Sequence, residues 1–456
     1  MFIPSPTWLN AGDNAWQLSA ATFVGLQSLP GLAVLYGGLV KRKWAVSSAV
    51  MCFYAFAAVL VVWVLCGFNI GFGHPWIGSV VGFPQPVLTA LGETTRASIP
   101  LLNGLMPKFE FPQSSLIYFQ FVFAAITPII LAGGLFGRIN FKAWMIFVPV
   151  WSVLVYSVNC FLLWGGGWLA QMGVVDFSGG YVIHVAAGIS GFVGAAVIGP
   201  RTLKDQKDFK PNNLLLAAVG AGILWLGWNG FNGGDPYFAN ADAGAAILNT
   251  NLATATALLV WFMFDYWFNK KLSFVGAING LICGLVAITP AAGYVDGYGA
   301  MIVGLFGAAI PWYTMNKLSG RWPFRKVDDT LGVIHTHYMA GAVGGLLVGF
   351  IANPAVVEYV GVHGSSNVSV AGLFAGNPHQ LLVQVIGLLV ITVYDGGMTF
   401  LIFKAIGRFV PLRMNEYQLE HGDRVLFNEE VFELHHPIPP PEPIPPPEGQ
   451  PAPQPT

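Results

Sequence analysis

Charge is what this chain has least of: Lys, Arg, Asp and Glu together make up 9% of its 456 residues, while 55% are hydrophobic. Such a composition has too little polar surface to clothe a water-soluble globule of this size. With 21 basic and 22 acidic residues the formal net charge is -1, which gives no cationic field for nucleic acid and no pull towards an acidic partner. Cysteine is nearly missing too. Its four copies, Cys52, Cys66, Cys160 and Cys283, all fall inside apolar blocks, so no disulfide framework is expected. No lysine or arginine precedes Lys41, so the cationic start of a cleaved secretory leader is lacking and the first apolar block reads as a retained span. No Cys or carboxylate set stands at metal-ligand spacing beside the histidines, and His335 and His337, two apart on a helix, point to different sides. Without a metal set or an activated nucleophile, an enzyme is not expected, nor a cofactor.

What the chain has instead is apolar length. Blocks near 17–39, 47–72, 115–137, 142–163, 180–199, 213–231, 246–268, 274–292, 297–316, 333–353 and 379–407 are each long enough to cross about 30 Å of hydrocarbon. The fold class is therefore an all-α polytopic membrane protein with eleven transmembrane helices. The loops after spans 1, 3, 5, 7 and 9, together with the tail, hold nineteen of the 21 lysines and arginines, leaving only Arg96 and Lys108 opposite. Positive charge stays on the cytoplasmic side, so an external N-terminus and a cytoplasmic C-terminus are expected, with the plasma membrane as the location.

Two stretches 153 residues apart carry one pattern: Asp176…His184-x-x-Ala187-Gly188-x-x-Gly191 and Asp329…His337-x-x-Ala340-Gly341-x-x-Gly344. The first histidine falls on span 5 and the second on span 10, and five crossings reverse direction. The halves, about 17–199 and about 213–353, read as inverted five-helix repeats about an axis in the membrane plane, with helix 11 (about 379–407) left over. Eight helical residues from each aspartate would put His184 and His337 roughly 12 Å deep from opposite faces of a roughly 30 Å core. Gly188 and Gly191 against Gly341 and Gly344 would let these two helices approach closely and bring the imidazoles together. The bland reading is that each histidine bonds a neighbouring backbone and only specifies packing; duplication together with the flanking residues favours function.

A buried imidazole pair donates, accepts and can share one proton, and hydrocarbon surroundings favour the uncharged ring. The spans otherwise supply mostly Phe, Leu, Ile, Val and Gly, a lining that refuses hydrated ions and admits a small neutral molecule able to bond the ring nitrogens. Asp265 and Asp395 are the other acids inside apolar blocks. Asp265 is placed at the cytoplasmic interface, and Asp395, deeper, is either a functional acid or a helix-to-helix hydrogen bond.

Six segments carry a resemblance: Gly31-Leu-Ala-Val-Leu-Tyr36-Gly37-Gly38, Phe119-Gln120-Phe-Val-Phe123-Ala-Ala-Ile-Thr127, Trp164-Gly-Gly-Gly167, Asp176-Phe-Ser-Gly-Gly-Tyr-Val-Ile-His184, Gly227-Trp-Asn-Gly-Phe231-Asn232 and Asp328-Asp329-Thr-Leu-Gly-Val-Ile-His-Thr-His337. In order, from about residue 13 to about residue 425, the chain resembles the ammonium transporter (Amt/Mep/Rh) family. The resemblance implies a homotrimer with one path per subunit that moves ammonium or ammonia. It makes His184 and His337 the twin pore histidines, a pore proton relay. Phe123 and Phe231 become the two stacked rings that gate the pore from outside, and Phe123 with Trp164 the aromatic walls of an external ammonium recruitment site. Asp176 would organise that site without touching the cation. Two departures stand out. Asp235 occupies the place of a small hydroxyl residue, where it either binds the cation more tightly or turns to external water. His335 replaces a small residue, giving a His-Thr-His form like that of the second class of plant transporters; it is either a further proton acceptor about 3 Å nearer the cytosol or a core histidine.

Residues 1–16 read as an external N-terminus, 17–407 as the transporter unit and 408–434 as a cytoplasmic tail. That tail resembles the family's regulatory segment, which docks on the neighbouring subunit. Residues 435–456 are Pro-rich and unable to bury a core, either simply solvated or a docking site for a nitrogen-regulatory protein. Asn367-Val-Ser369 matches a glycosylation sequon, informative only in a eukaryotic chain. The competing function is an ammonium sensor of the same fold with little flux, which the lack of a soluble signalling domain disfavours.

Overall fold

The computed structural model describes residues 6–88, 94–103, 108–358, 368–429 and 431; the sequon's Asn367 and the Pro-rich tail lie outside them. Ten helices are long and apolar enough to cross a membrane among the described residues: α1 (Ala11–Leu39), α2 (Arg42–Phe72), α3 (Gln113–Ala132), α4 (Phe141–Gln171), α5 (Gly180–Ile198), α6 (Leu214–Gly234), α7 (Ala241–Asn269), α9 (Gly297–Leu318), α10 (Ile334–Ile351) and α11 (Pro378–Ile406). Between α7 and α9, α8 (Phe274–Ile288) is apolar but only 15 residues long, and turns carry the chain on to Tyr294. The chain is thus an all-α polytopic membrane protein, and the eighth of the eleven expected spans, 274–292, is this shorter helix. Helix α1 begins six residues before the expected 17, because Asn10 caps it by accepting from the Gly12 and Asp13 amides.

The first helices of the two halves meet each other, and so do the last. Gly38 of α1 lies against the backbone of Ala217 in α6, while α5 and α10 cross where an added Cβ at Gly188 would stand 2.5 Å from Tyr338 N and one at Gly341 would stand 2.7 Å from Gly180 O. The other two glycines of the pattern do not join this crossing, contrary to expectation. Gly191 packs on Leu131 of α3 and Gly344 on Ala287 of α8. Glycines three apart on a helix point about 60° off one another, so each pair serves two neighbours at once.

Helix α11 lies outside the repeats and ties them together. The Gln384 amide, fully buried, donates to Val175 O (2.9 Å) just ahead of α5 and to Gly345 O (3.0 Å) in α10. Thr399 donates to Ser190 of α5 at 2.8 Å. Asp395, also fully buried, accepts from Asn159 of α4 at 2.9 and 3.1 Å, so this acid serves as a bond between helices. Asp265 accepts from Trp312 of α9 at 2.8 Å near the end of α7.

Arg138 gathers the side opposite the Trp164 mouth. Its buried guanidinium donates to Gly134 O (2.7 Å), Gly199 O (2.8 Å), Thr330 Oγ1 (2.5 Å) and Asp328 O, joining the ends of α3 and α5 to the segment before α10. Arg201 grips the Asp328 carboxylate through Nε at 2.9 Å and Nη2 at 2.7 Å. The tail packs against the helices of the same chain: Asp423 accepts from the Val46 and Ser47 amides of α2 at 2.7 and 3.0 Å, and Met414 N donates to Arg138 O at 2.9 Å.

Two outcomes follow. Gly188→Leu forces a side chain into the α5–α10 crossing and is expected to cost about 3 kcal/mol, read as a lower melting temperature in detergent; Gly222→Ala, where a Cβ meets nothing within 4 Å, leaves it unchanged. Burial alone raises the Asp328 carboxyl, but Arg201 outweighs it and holds Asp328 below the ordinary carboxylate range. Its stabilisation is therefore complete above the unfolded value of about 3.9 and is lost as pH falls through the lower folded one. Melting measured from pH 6 down to pH 3 should show a loss that Asp328→Asn lacks.

Candidate functional site

The fold places a cavity on each side of a closed aromatic and imidazole section. The outer one encloses about 300 Å³ and is lined by Trp164, Asp176, Phe177, Asp235, Tyr237 and Tyr294, among others. Trp164 stands at an interruption of α4 over 164–167, and its indole N–H donates to Asp176 O at 2.8 Å. Below it the Phe123 ring meets Trp164 edge-on, with centroids 6.2 Å apart, and packs against Phe231 at 4.5 Å with the planes tilted by 50°. Both phenylalanines are completely buried. The resemblance implied stacked rings, and the structure shows them tilted.

Asp176 lines the outer cavity, yet both of its oxygens are committed. Oδ1 accepts from the Gly179 and Gly180 amides (3.2 and 2.6 Å) and Oδ2 from those of Tyr181 and Val182 (2.8 and 3.0 Å). These are the orphan donors of the first turn of α5. To reach them the chain folds back through Gly179 at φ 110°, so the segment from Asp176 to Gly179 is not helical. The expected 12 Å of helix above His184 is correspondingly shortened. Asp235, which follows α6, is 6% exposed and lines the cavity, not the external surface.

The two histidines touch. Nδ1 of His184 lies 3.3 Å from Nδ1 of His337, with ring centroids 5.4 Å apart and planes 27° off parallel. Each ring starts its helix on a widened turn, 180–185 in α5 and 334–339 in α10. Two uncharged imidazoles carry one N–H each, so a shared Nδ1–H leaves the donating ring with a bare Nε2 and the accepting ring with an Nε2–H. The pair therefore presents one acceptor and one donor. His184 is fully buried, and its Nε2 has no protein partner among the described residues.

Trp228 completes this section and was not singled out from the sequence. Its indole stacks on His184 at 5.4 Å and 16°, and on Phe231 at 4.7 Å, while its N–H donates to Thr289 at 2.9 Å. The signal was its place three residues before Phe231, on the same helix face. Tyr237, held by Gln120 at 2.9 Å, is a second unforeseen wall of the outer cavity.

Beyond His337 an inner cavity of about 660 Å³ opens, lined by Asp328, Asp329, Ile334 and His335 and ringed by Arg325 and Lys326. His335 Nδ1 is 3.0 Å from Thr314 Oγ1, and its ring leans on Phe324 at 4.8 Å. His335 thus stands apart from the His184–His337 contact.

Residues 15–431 match the model of the Ammonium Transporter Family. The chain is 47% identical to Ammonium transporter 3 member 3 of Oryza sativa subsp. japonica, over 94% of this chain and 91% of that protein. It is likewise 47% identical to Ammonium transporter 2 of Arabidopsis thaliana, over 94% and 90%. The crystal structure of Saccharomyces cerevisiae Mep2 superposes with a TM-score of 0.76 at 26% identity, covering 91% of this chain and 93% of that one. A multi-pass membrane protein with this match along nearly its whole length belongs to the ammonium transporter family.

Proposed function

We propose that the chain carries ammonium nitrogen across the plasma membrane as ammonia. The observation that supports this best is the His184–His337 contact of 3.3 Å, sealed between an outer and an inner cavity. Ammonium enters the outer cavity, where the face of Trp164 replaces part of its hydration at about 0.5 to 2 kcal/mol, while Phe123 lies buried beneath and outside the cavity lining. Asp235 adds a buried negative group, and Asp176 holds the mouth in shape through its four amide bonds. A bare cation in the closed section is costly, so the proton leaves before the nitrogen passes Phe123 and Phe231. Ammonia both donates and accepts, which matches the one donor and one acceptor of the histidine pair. Potassium has no proton to give and keeps its charge, so it is refused. The shared Nδ1–H offers the proton its own route, which favours net charge movement. The working assembly is a homotrimer, with the N-terminus outside and the tail in the cytoplasm, open to a nitrogen-regulatory protein.

Reconstituted protein tests this. His184→Ala or His337→Ala removes a hydrogen-bond partner worth about 1.4 kcal/mol, so ammonium-over-potassium selectivity should fall about tenfold. Unchanged selectivity and flux would refute the role of the pair, and an ammonium response in cells without measurable flux would move the reading to a sensor. Asp235→Asn removes a charge worth at least about 1 kcal/mol, the bulk-water value at about 4 Å, raising the external half-saturating ammonium concentration at least about fivefold; a value equal to the native one would mean that Asp235 does not hold the cation.

A further inference from the structure

The inverted repeat is not faithful at its inner end, and both departures face the same cavity. The repeat position of Val182 is occupied by His335, 153 residues on. The repeat position of Asp176 is Asp329, but Asp329 does not repeat the four-amide cap. Its Oδ2 accepts from Ile334 N at 2.8 Å and the Val333 amide and Arg138 also act on the carboxyl, while Oδ1 is hydrogen-bonded to nothing among the described residues. The His335 amide donates to Gly332 O at 2.9 Å and not to the carboxylate.

The protonation pattern of His335 follows from its neighbour. Thr314 spends its hydroxyl proton on Pro311 O at 3.0 Å, so towards His335 Nδ1, also 3.0 Å away, it acts as acceptor. An uncharged His335 therefore carries its proton on Nδ1 and offers a bare Nε2 acceptor. The ring leans on Phe324, and His335, Phe324 and Asp329 all line the inner cavity of about 660 Å³. An aromatic face, an imidazole acceptor and a carboxylate oxygen in one recess suit a small cation with several N–H donors. Asp328, on the same wall, is already occupied by Arg201 at 2.7 Å. Arg325 and Lys326 stand exposed at the rim and oppose retention, which suits a station that must release its cargo.

We propose that His335, Asp329 and Phe324 form an inner binding site for ammonium or a primary alkylammonium, at the opposite end of the path from Trp164 and Asp235. This rests on the transport reading above. The cation donates to His335 Nε2 and is balanced by the Asp329 carboxylate, and the extra histidine marks the end at which nitrogen leaves.

The test is side-specific. Uptake of radiolabelled methylammonium is measured in right-side-out and inside-out membrane vesicles bearing the full chain, and the half-saturating concentrations on the two faces are compared. His335→Ser is expected to raise the inner value about tenfold more than the outer one, and Asp329→Asn, which keeps an oxygen for the Ile334 amide, to act the same way. If Asp329→Asn does not accumulate in the membrane, His335→Ser decides alone. An inner-to-outer ratio within twofold of native, or a parallel rise on both faces, overturns the proposal. A native chain that moves no methylammonium or ammonium sinks the transport reading itself, whatever the variants do.

Discussion

Everything in the path hangs on how closely two helices cross. At Gly188 and Gly341 the α5 and α10 backbones come near enough that a single methyl group on either would meet backbone atoms within 2.7 Å. Only at that separation can imidazoles projecting from opposite halves place their Nδ1 atoms 3.3 Å apart. In a lipid-embedded bundle the hydrophobic effect does not press helices together, so such a crossing depends on small residues and on polar ties. The glycines give the first and α11 supplies the second, through Gln384 to both histidine helices and Thr399 to Ser190.

Buried polar groups sort by what they hold. Asp395 with Asn159, and Asp265 with Trp312, join neighbouring helices, and Arg138 closes the end of the bundle opposite the Trp164 mouth. Each obeys one requirement: in a medium without water a polar atom left unpaired costs several kcal/mol, on the order of a lost fold for a few such atoms. The pairing is incomplete even in these ties, since Asn159 Oδ1 and Asp265 Oδ2 have no hydrogen-bonded partner among the described residues. His184 Nε2 and Asp329 Oδ1 lack protein partners among the described residues, and both lie on the line from the outer to the inner cavity.

The two ends of the path are built from one duplicated plan and then diverge. In the first copy, Asp176 is saturated by four amides beside the cavity that Trp164 lines. In the second copy, Asp329 caps more sparingly and stands beside a histidine that the first copy lacks. The two copies of the pattern thus differ where Val182 in the first is matched by His335 in the second.

The membrane-spanning class, the pairing of halves and the two key histidines were legible in the chain itself. Apolar runs of about twenty residues have one stable setting in lipid, and a repeated Asp-to-His spacing is hard to miss on so apolar a background. Partners across space were not legible. Nothing in the spacing says that Gly191 turns to Leu131 and Gly344 to Ala287, that Asp176 folds back on its own helix, or that Trp228 lies against His184. Such choices depend on helix rotation and on a glycine at φ 110°, quantities set by packing among several helices at once. A linear pattern records which face of a helix is apolar, and only the assembled bundle decides which neighbour that face meets and which nitrogen is left bare.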